Sequence, residues 1–282
     1  MPAPRSSVVH LPAVLLCLLT GAAAARLQPP QCPLDLDMNP WVRIVSVHFT
    51  GNTRLPESEL RAIARSLTST PVCGRQWQHE AEQRVQYAFQ RRGYFKAMVD
   101  MTPTIVRESD TRRDVKLEVE VDAGEQYRLK TIQLRNATVF SAQELRRMFP
   151  LADGDIVDGD KIRQWLEALR RAYGERGYIN FTPVPDAKFD DDQRLVILAI
   201  DLDQGQQFHV GSFEVLGLEP RLTAEITALI KPGDVYSPSL LEAAWRRYER
   251  YFPRSKSFRQ NSEMKTNNDS NTLSITWDLR NR

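Results

Sequence analysis

From residue 42 to residue 279 the apolar positions switch between two spacings, steps of two and steps of three or four. Val115, Leu117, Val119 and Val121 alternate with polar residues, as do Leu273, Ile275, Trp277 and Leu279. Each run predicts a strand with one buried face. Ile162, Leu166, Leu169 and Tyr173 follow one another at four, three and four, which places one apolar stripe on a helix. These switches recur in the same order, so the chain writes a unit of about 80 residues three times.

The repeat is clearest at two boundaries. Val119–Leu134 and Ile200–Val215 align without a gap, keeping Asp122/Asp203, Gly124/Gly205, Tyr127/Phe208, Leu129/Val210 and Ile132/Phe213 in register. A second segment recurs as Pro56-Glu-Ser-Glu-Leu60, Ser141-Ala-Gln-Glu-Leu145 and Leu222-Thr-Ala-Glu-Ile226. Arg92-Gly-Tyr94 and Arg176-Gly-Tyr178 close the second helix of the first two copies.

The second copy shows the plan. Tyr127–Leu134 predicts a half-buried strand. Ser141 caps a helix with Glu144 three residues on, and Leu145 and Met148 are expected to face inward. Leu151–Ile156 breaks that helix with Gly154 as the turn residue, and Asp158 or Asp160 starts the next. Gly177 ends it in a left-handed cap, and Tyr178–Lys188 and Leu195–Leu202 follow as strands turned around Asp190-Asp-Asp192. In the first copy Val45, Val47 and Phe49 are expected to form the inner face of the opening strand. In the third, Ile226, Leu229 and Ile230 line the first helix. Phe252-Pro253-Arg-Ser-Lys-Ser257 replaces the Gly-Tyr ending there, which predicts a looser corner. The expected fold class is α+β: three tandem domains of order β-α-α-β-β, each with two helices on a three-stranded mixed sheet.

Net charge is +2, from 38 basic and 36 acidic residues. That balance argues against a nucleic-acid binder, which needs a basic face. Arg163, Arg170, Arg171, Arg246 and Arg247 read as solvated helix faces. At the N-terminus, Arg5, the apolar run Val8–Leu19 and the small residues Gly21–Ala25 form an export signal cleaved after Ala24 or Ala25. Cys17 lies inside the apolar run after Leu16, so lipidation is not expected. No other stretch approaches membrane-spanning length, and no membrane span is expected after cleavage. The Asn136, Asn180 and Asn268 sequons matter only in a glycosylating host.

The strand–helix–helix–strand–strand order, the Gly-Asp-hydrophobic turns (Gly154-Asp-Ile156, Gly233-Asp-Val235), the Arg-Gly-Tyr ending and the Val-x-Val-Asp-x-Gly-x-x-Tyr/Phe junction together resemble POTRA domains. These are the polypeptide-transport-associated modules of the outer-membrane assembly-factor (BamA/TamA-like) family. The likeness covers about Val42 to Leu279. It divides the chain into a signal peptide (1–25), a linker (26–41) and domains at 42–126, 127–206 and 207–282. Such proteins carry these domains ahead of a membrane barrel. This sequence ends at Leu279-Arg-Asn-Arg282, where a further domain or the barrel would begin, so barrel insertion by this chain itself is not expected. The resemblance implies a periplasmic protein, held near the outer membrane through partners. Those partners would be outer-membrane polypeptide clients or an outer-membrane barrel or assembly complex, bound by a scaffold for outer-membrane protein assembly or transport. The alternatives are a purely structural spacer within an envelope complex, or the remnant of a barrel protein that lost its membrane domain.

No catalytic, cofactor or metal constellation emerges, and no cofactor is expected. His48, His79 and His209 have no Cys, Ser or carboxylate at motif spacing, and Asp190–Asp192 reads as a solvated turn. Gly124 and Gly205 permit tight turns at the junctions, where Tyr127 and Phe208 either pack into the seam or only begin the next strand. Cys32 and Cys73 are expected to form a disulfide, because the helix–helix loop carrying Cys73 returns to the end at which the chain joins the first domain. The resemblance also places the last strand of each domain centrally, leaving the second strands, about residues 96–106, 179–188 and 260–266, on edges. Pro103, Pro183 and Pro185 blunt two of these edges. The third, with Ser262, Met264 and Thr266 alternating with Glu263 and Lys265, is the expected partner-binding edge.

Overall fold

The computed structural model describes residues 41–69, 71–72 and 76–280. The expected signal peptide, nearly all of the linker, and both Cys32 and Cys73 lie outside the described residues. By their contacts the residues fall into two compact units. One runs up to Leu134 and includes Gln143–Gln164 and Pro185–Ile200; the other comprises Arg135–Ala142, Trp165–Val184 and the residues from Asp201 onward.

The first repeat contributes β1 (Trp41–Asn52), α1 (Glu57–Thr68), α2 (Trp77–Gln90), β2 (Met98–Glu108) and β3 (Arg112–Asp122). The second contributes β4 (Arg128–Arg135), α3 (Ala142–Met148), α4 (Gly159–Gly174), β5 (Thr182–Asp190) and β6 (Leu195–Asp203). The third contributes β7 (His209–Leu216), α5 (Pro220–Thr227), α6 (Pro238–Tyr248) and a 3-10 turn at Glu249–Tyr251. It continues with the single helical turn α7 (Phe258–Asn261), β8 (Ser262–Asn267) and β9 (Thr272–Asp278). The sheets have the orders β1-β3-β2, β4-β6-β5 and β7-β9-β8. β1 is parallel to β3 and β7 to β9, while β2 and β8 run antiparallel to their neighbours. A parallel neighbour requires a crossover, and the helix pair supplies it. The fold is α+β, three small mixed sheets each with its helices.

The closing strand is central and carries the most regular apolar face. In the first repeat Val115, Leu117, Val119 and Val121 are buried with Val85 and Phe89 of α2. In the third, Leu273, Ile275 and Trp277 of β9 are buried with Ile226, Leu241 and Trp245. The Trp277 ring meets Phe213, Trp245, Phe252 and Phe258 edge-on. Phe252 therefore anchors the third corner, although the segment after it follows a different course from the Gly-Tyr ending.

Three expectations about local structure are corrected. Val45 does not join the inner face of β1: Ile44 pairs with Val115 and Ser46 with Lys116, so Val45 is the extra residue of a bulge and is exposed. The inner residues are Val42 and Ile44 before the bulge, and Val47 and Phe49 after it. β7 bulges likewise at Gly211, between the Val210–Leu273 and Ser212–Ser274 pairs. A spacing of three between inward residues, as in Ile44/Val47 and Val210/Phe213, is the sequence mark of this feature. Met148 is also exposed, since α3 ends there and Phe149 turns inward one turn after Leu145. Finally, the second strands begin later than expected. The chain turns once more after each Gly-Tyr ending, with Ala97 N donating to Tyr94 O and Phe181 N to Tyr178 O. In the third repeat α7 takes up residues 258–261.

Among the described residues no helix is long and apolar enough to cross a membrane.

Candidate interaction surfaces

Where the first repeat passes into the second, short-range backbone geometry comes first. Asp122 Oδ1 accepts from the Gly124 N–H at 3.1 Å, and Gly124 takes φ +65°, turning the chain out of β3. Gln126 Nε2 then donates to Arg92 O at 2.8 Å, and Tyr127 N to Gly93 O at 2.9 Å. The Val157 N–H returns to Tyr127 O at 3.2 Å. Gly93 sits at φ +83°, and a Cβ there would lie 3.1 Å from Tyr127 O and 3.2 Å from Val157 O. The Arg-Gly-Tyr segment thus ends a helix and also clasps the chain that follows.

Side chains reinforce this clasp. The Tyr127 hydroxyl donates to Asp191 Oδ1 at 2.6 Å, and Lys96 Nζ reaches Asp191 Oδ2 at 2.6 Å. These two donors hold the Asp191 carboxyl below the usual aspartate range, while burial and Asp191 together push the Tyr127 phenol up. The rings of Phe95, Tyr127 and Phe189 meet edge to face, with centroids 5.1 to 5.9 Å apart. Arg91 and Arg92 both donate to Asp160, at 2.9 and 3.0 Å, and Arg92 also to Glu59 at 2.9 Å. Burial opposes ionisation of Asp160, but the two guanidinium groups outweigh it and its carboxyl lies below the ordinary value. Asp158, rather than Asp160, caps α4, accepting from the Asp160 and Lys161 N–H groups.

The same backbone pattern recurs between the second and third repeats. Asp203 Oδ1 accepts from Gly205 N, Gln207 Nε2 donates to Arg176 O at 2.9 Å, and Phe208 N to Gly177 O at 2.8 Å. Tyr236 N donates to Phe208 O at 3.0 Å. The side-chain lock is different. Glu175 accepts from the Ser237 and Ser239 hydroxyls, both at 2.6 Å, and from Ser239 N at 3.2 Å, at the start of α6. Burial pushes its carboxyl up, but these donors hold it below the ordinary glutamate value.

Gly124, Tyr127, Gly205 and Phe208 all lie in these two contacts. Sequence reading missed Lys96, Arg91, Asp160, Asp191, Glu175 and the two serines, none of which recurs between copies. The repeated Gln126/Gln207 was visible in the aligned segments. Asp190–Asp192 is more than a solvated turn, since Asp191 joins the first lock. No group of three His, Cys, Asp or Glu placed to hold a metal occurs among the described residues. His48 is exposed on β1, His209 lies half-buried at the start of β7, and His79 contacts Gln83 on α2.

The expected partner edge lies on β8. Ser262, Met264 and Thr266 are cross-strand neighbours of Trp277, Ile275 and Leu273 and share their face. Glu263 and Lys265 lie on the other face, 3.2 Å apart. Met264 is half-exposed at the margin, where its sulfur accepts from the Tyr236 hydroxyl at 3.2 Å. The Ser262 hydroxyl is buried with no hydrogen-bond partner. β9 flanks β8 on one side only. β2 and β5 occupy the corresponding edges but contain Pro103, and Pro183 and Pro185.

These features define an array of POTRA domains, and the chain belongs to that family: residues 42–124 and 127–205 match the POTRA family, described as "Surface antigen variable number repeat". It is 29% identical over 203 residues to a Treponema pallidum (strain Nichols) protein named as a candidate outer membrane protein assembly factor, covering 68% of this chain and 24% of that protein. It is 23% identical over 216 residues to the outer membrane protein assembly factor BamA of Neisseria meningitidis serogroup B, covering 71% of this chain and 26% of that one. The chain thus spans about a quarter of the length of these relatives. The crystal structure of Haemophilus influenzae BamA POTRA3-5 shares its fold, with a TM-score of 0.57 at 19% identity over 86% of this chain and 98% of that one.

Proposed function

We propose that the chain is a periplasmic scaffold that takes part in outer-membrane protein assembly or transport by adding an extended polypeptide to the β8 edge. The observation that carries this reading is the contrast among the three second strands: β2 and β5 contain proline, whereas the six residues of β8 do not. Proline removes a backbone donor, so β8 has the full set of outward amides needed to pair with a new strand. The partners are outer-membrane polypeptide clients, or an outer-membrane barrel or assembly complex. Names of the relatives support that class, and the export signal expected from the N-terminal sequence supports the periplasm. The role is binding, with no enzymatic step, no cofactor and no nucleic acid.

Pairing of this kind depends on hydrogen bonds more than on charge, so capture should persist in moderate salt that screens exposed ion pairs. The test is crosslinking to unfolded outer-membrane polypeptides with Met264→Pro or Lys265→Pro, whichever removes an outward N–H. Each variant must retain wild-type circular dichroism and melting. Lost capture supports the reading; folded variants that capture as wild type does would remove β8 as the site. A second reading, a spacer that sets distance within an envelope complex, is favoured by the clasps at both junctions. It predicts crosslinks only at the ends of the array.

A further inference from the structure

The corner that clasps the following domain in the first two repeats is rebuilt in the third. After α2 and α4 the chain reads Arg91-Arg-Gly-Tyr94 and Glu175-Arg-Gly-Tyr178, and the glycine carbonyl takes up the next domain's N–H. From the last turn of α6 onward it reads Arg246-Arg-Tyr-Glu-Arg-Tyr-Phe-Pro-Arg-Ser-Lys-Ser-Phe-Arg259. This stretch holds six cations and one anion, a net +5 in a chain whose total is +2. Arg246 is paired with Glu242. Among the described residues, no carboxylate pairs with Arg247, Arg250, Arg254, Lys256 or Arg259. At the first junction, by contrast, Arg91 and Arg92 are both spent on Asp160.

Arg247, Arg250, Arg254 and Arg259 are exposed, and aromatic rings are interleaved among them. The Arg247 guanidinium lies over the Tyr248 ring at 5.6 Å and that of Arg250 over Tyr251 at 4.8 Å. Tyr251 is half-exposed. Unpaired cations beside amphipathic tyrosines match the boundary of a bilayer, where phosphates meet the guanidinium groups and phenol rings sit at headgroup depth. We propose that this corner docks on the surface of an anionic lipid bilayer. It is a second contact, separate from β8, and it inserts no span.

The test is co-sedimentation of the full chain with vesicles of phosphatidylcholine alone and of phosphatidylcholine mixed with phosphatidylglycerol. Binding is expected only to the mixed vesicles and should be lost in high salt. Replacing Arg247, Arg250 and Arg254 together by glutamine should weaken it about fivefold per cation, on the order of a hundredfold in all, with circular dichroism unchanged. Tyr251→Ala should weaken it less. Equal sedimentation with both vesicle types, or none with either, would overturn the proposal, as would a folded triple variant that binds like wild type. Binding of polyglutamate without binding of anionic vesicles would also overturn it and assign the corner to an acidic polypeptide. None of these outcomes bears on capture at β8.

Discussion

The two junctions share a backbone and differ in their locks. In both, an Asp-turned glycine leads to a glutamine and an aromatic residue whose N–H reaches the glycine carbonyl of the preceding helix end. Around the first, two arginines, a lysine, two aspartates and three rings close in; around the second, a single glutamate grips two serine hydroxyls and an amide. Backbone clasps are preserved because glycine alone fits them. Locks vary because any charge-assisted pair of the right reach will serve.

The glycines offer the largest contrast. A Cβ at Gly177 would lie 2.6 Å from Phe208 O, whereas at Gly93 its nearest neighbour would be 3.1 Å away. Both residues have positive φ. Gly93→Ala should cost about 1–3 kcal/mol from backbone strain, and Gly177→Ala about 3–5 kcal/mol because the carbonyl must also move. Urea unfolding of the two variants measures the difference; equal costs would break the comparison.

A smaller difference is expected from the locks. Asp160→Asn leaves Arg91 and Arg92 without their shared anion and should cost about 1–2 kcal/mol, discounted because both arginines are partly solvated. Glu175→Gln keeps an acceptor oxygen for the serines and should cost about 1 kcal/mol or less.

Acid should separate the junctions in the same sense. Asp160, Asp191 and Glu175 all titrate below their ordinary values in the folded chain. A carboxyl with a depressed folded pKa contributes its stability in full above the unfolded pKa and loses it as pH falls through the folded one. The melting temperature should therefore be insensitive to these groups from neutral pH to about pH 5, then fall at lower pH. Asp160→Asn combined with Asp191→Asn should flatten that fall more than Glu175→Gln does. Comparable in size to the Glu175 effect, Tyr127→Phe copies the second junction into the first. It removes the bond to Asp191 but keeps the three rings together, at about 0.5–1.5 kcal/mol.

This pattern also explains what could be read in advance. The repeat and the element order were legible because alternating and helical spacings are written into single runs such as Val115–Val121 and Ile162–Tyr173; the central place of the closing strands came only from the resemblance to POTRA domains. The bulge at Val45 was written as well, in the three-residue step from Ile44 to Val47, but a strict period of two hides it. Asp191 was not legible as a partner of Tyr127, since 64 residues separate them and no repeat copies the pair. The Glu175–Ser237 contact was hidden for the same reason: sequence spacing reports neighbours along an element, whereas these locks are set by how elements meet.

At β8 the chain offers what the junctions do not, an edge that nothing in the described residues covers. The most direct measurement is amide hydrogen exchange of the full chain with and without an unfolded outer-membrane polypeptide, read strand by strand. Added protection concentrated in Ser262–Asn267, with β2 and β5 unchanged, is the predicted result. Unchanged exchange at β8 while the polypeptide is bound, or protection at β2 or β5 instead, would contradict the assignment of that edge.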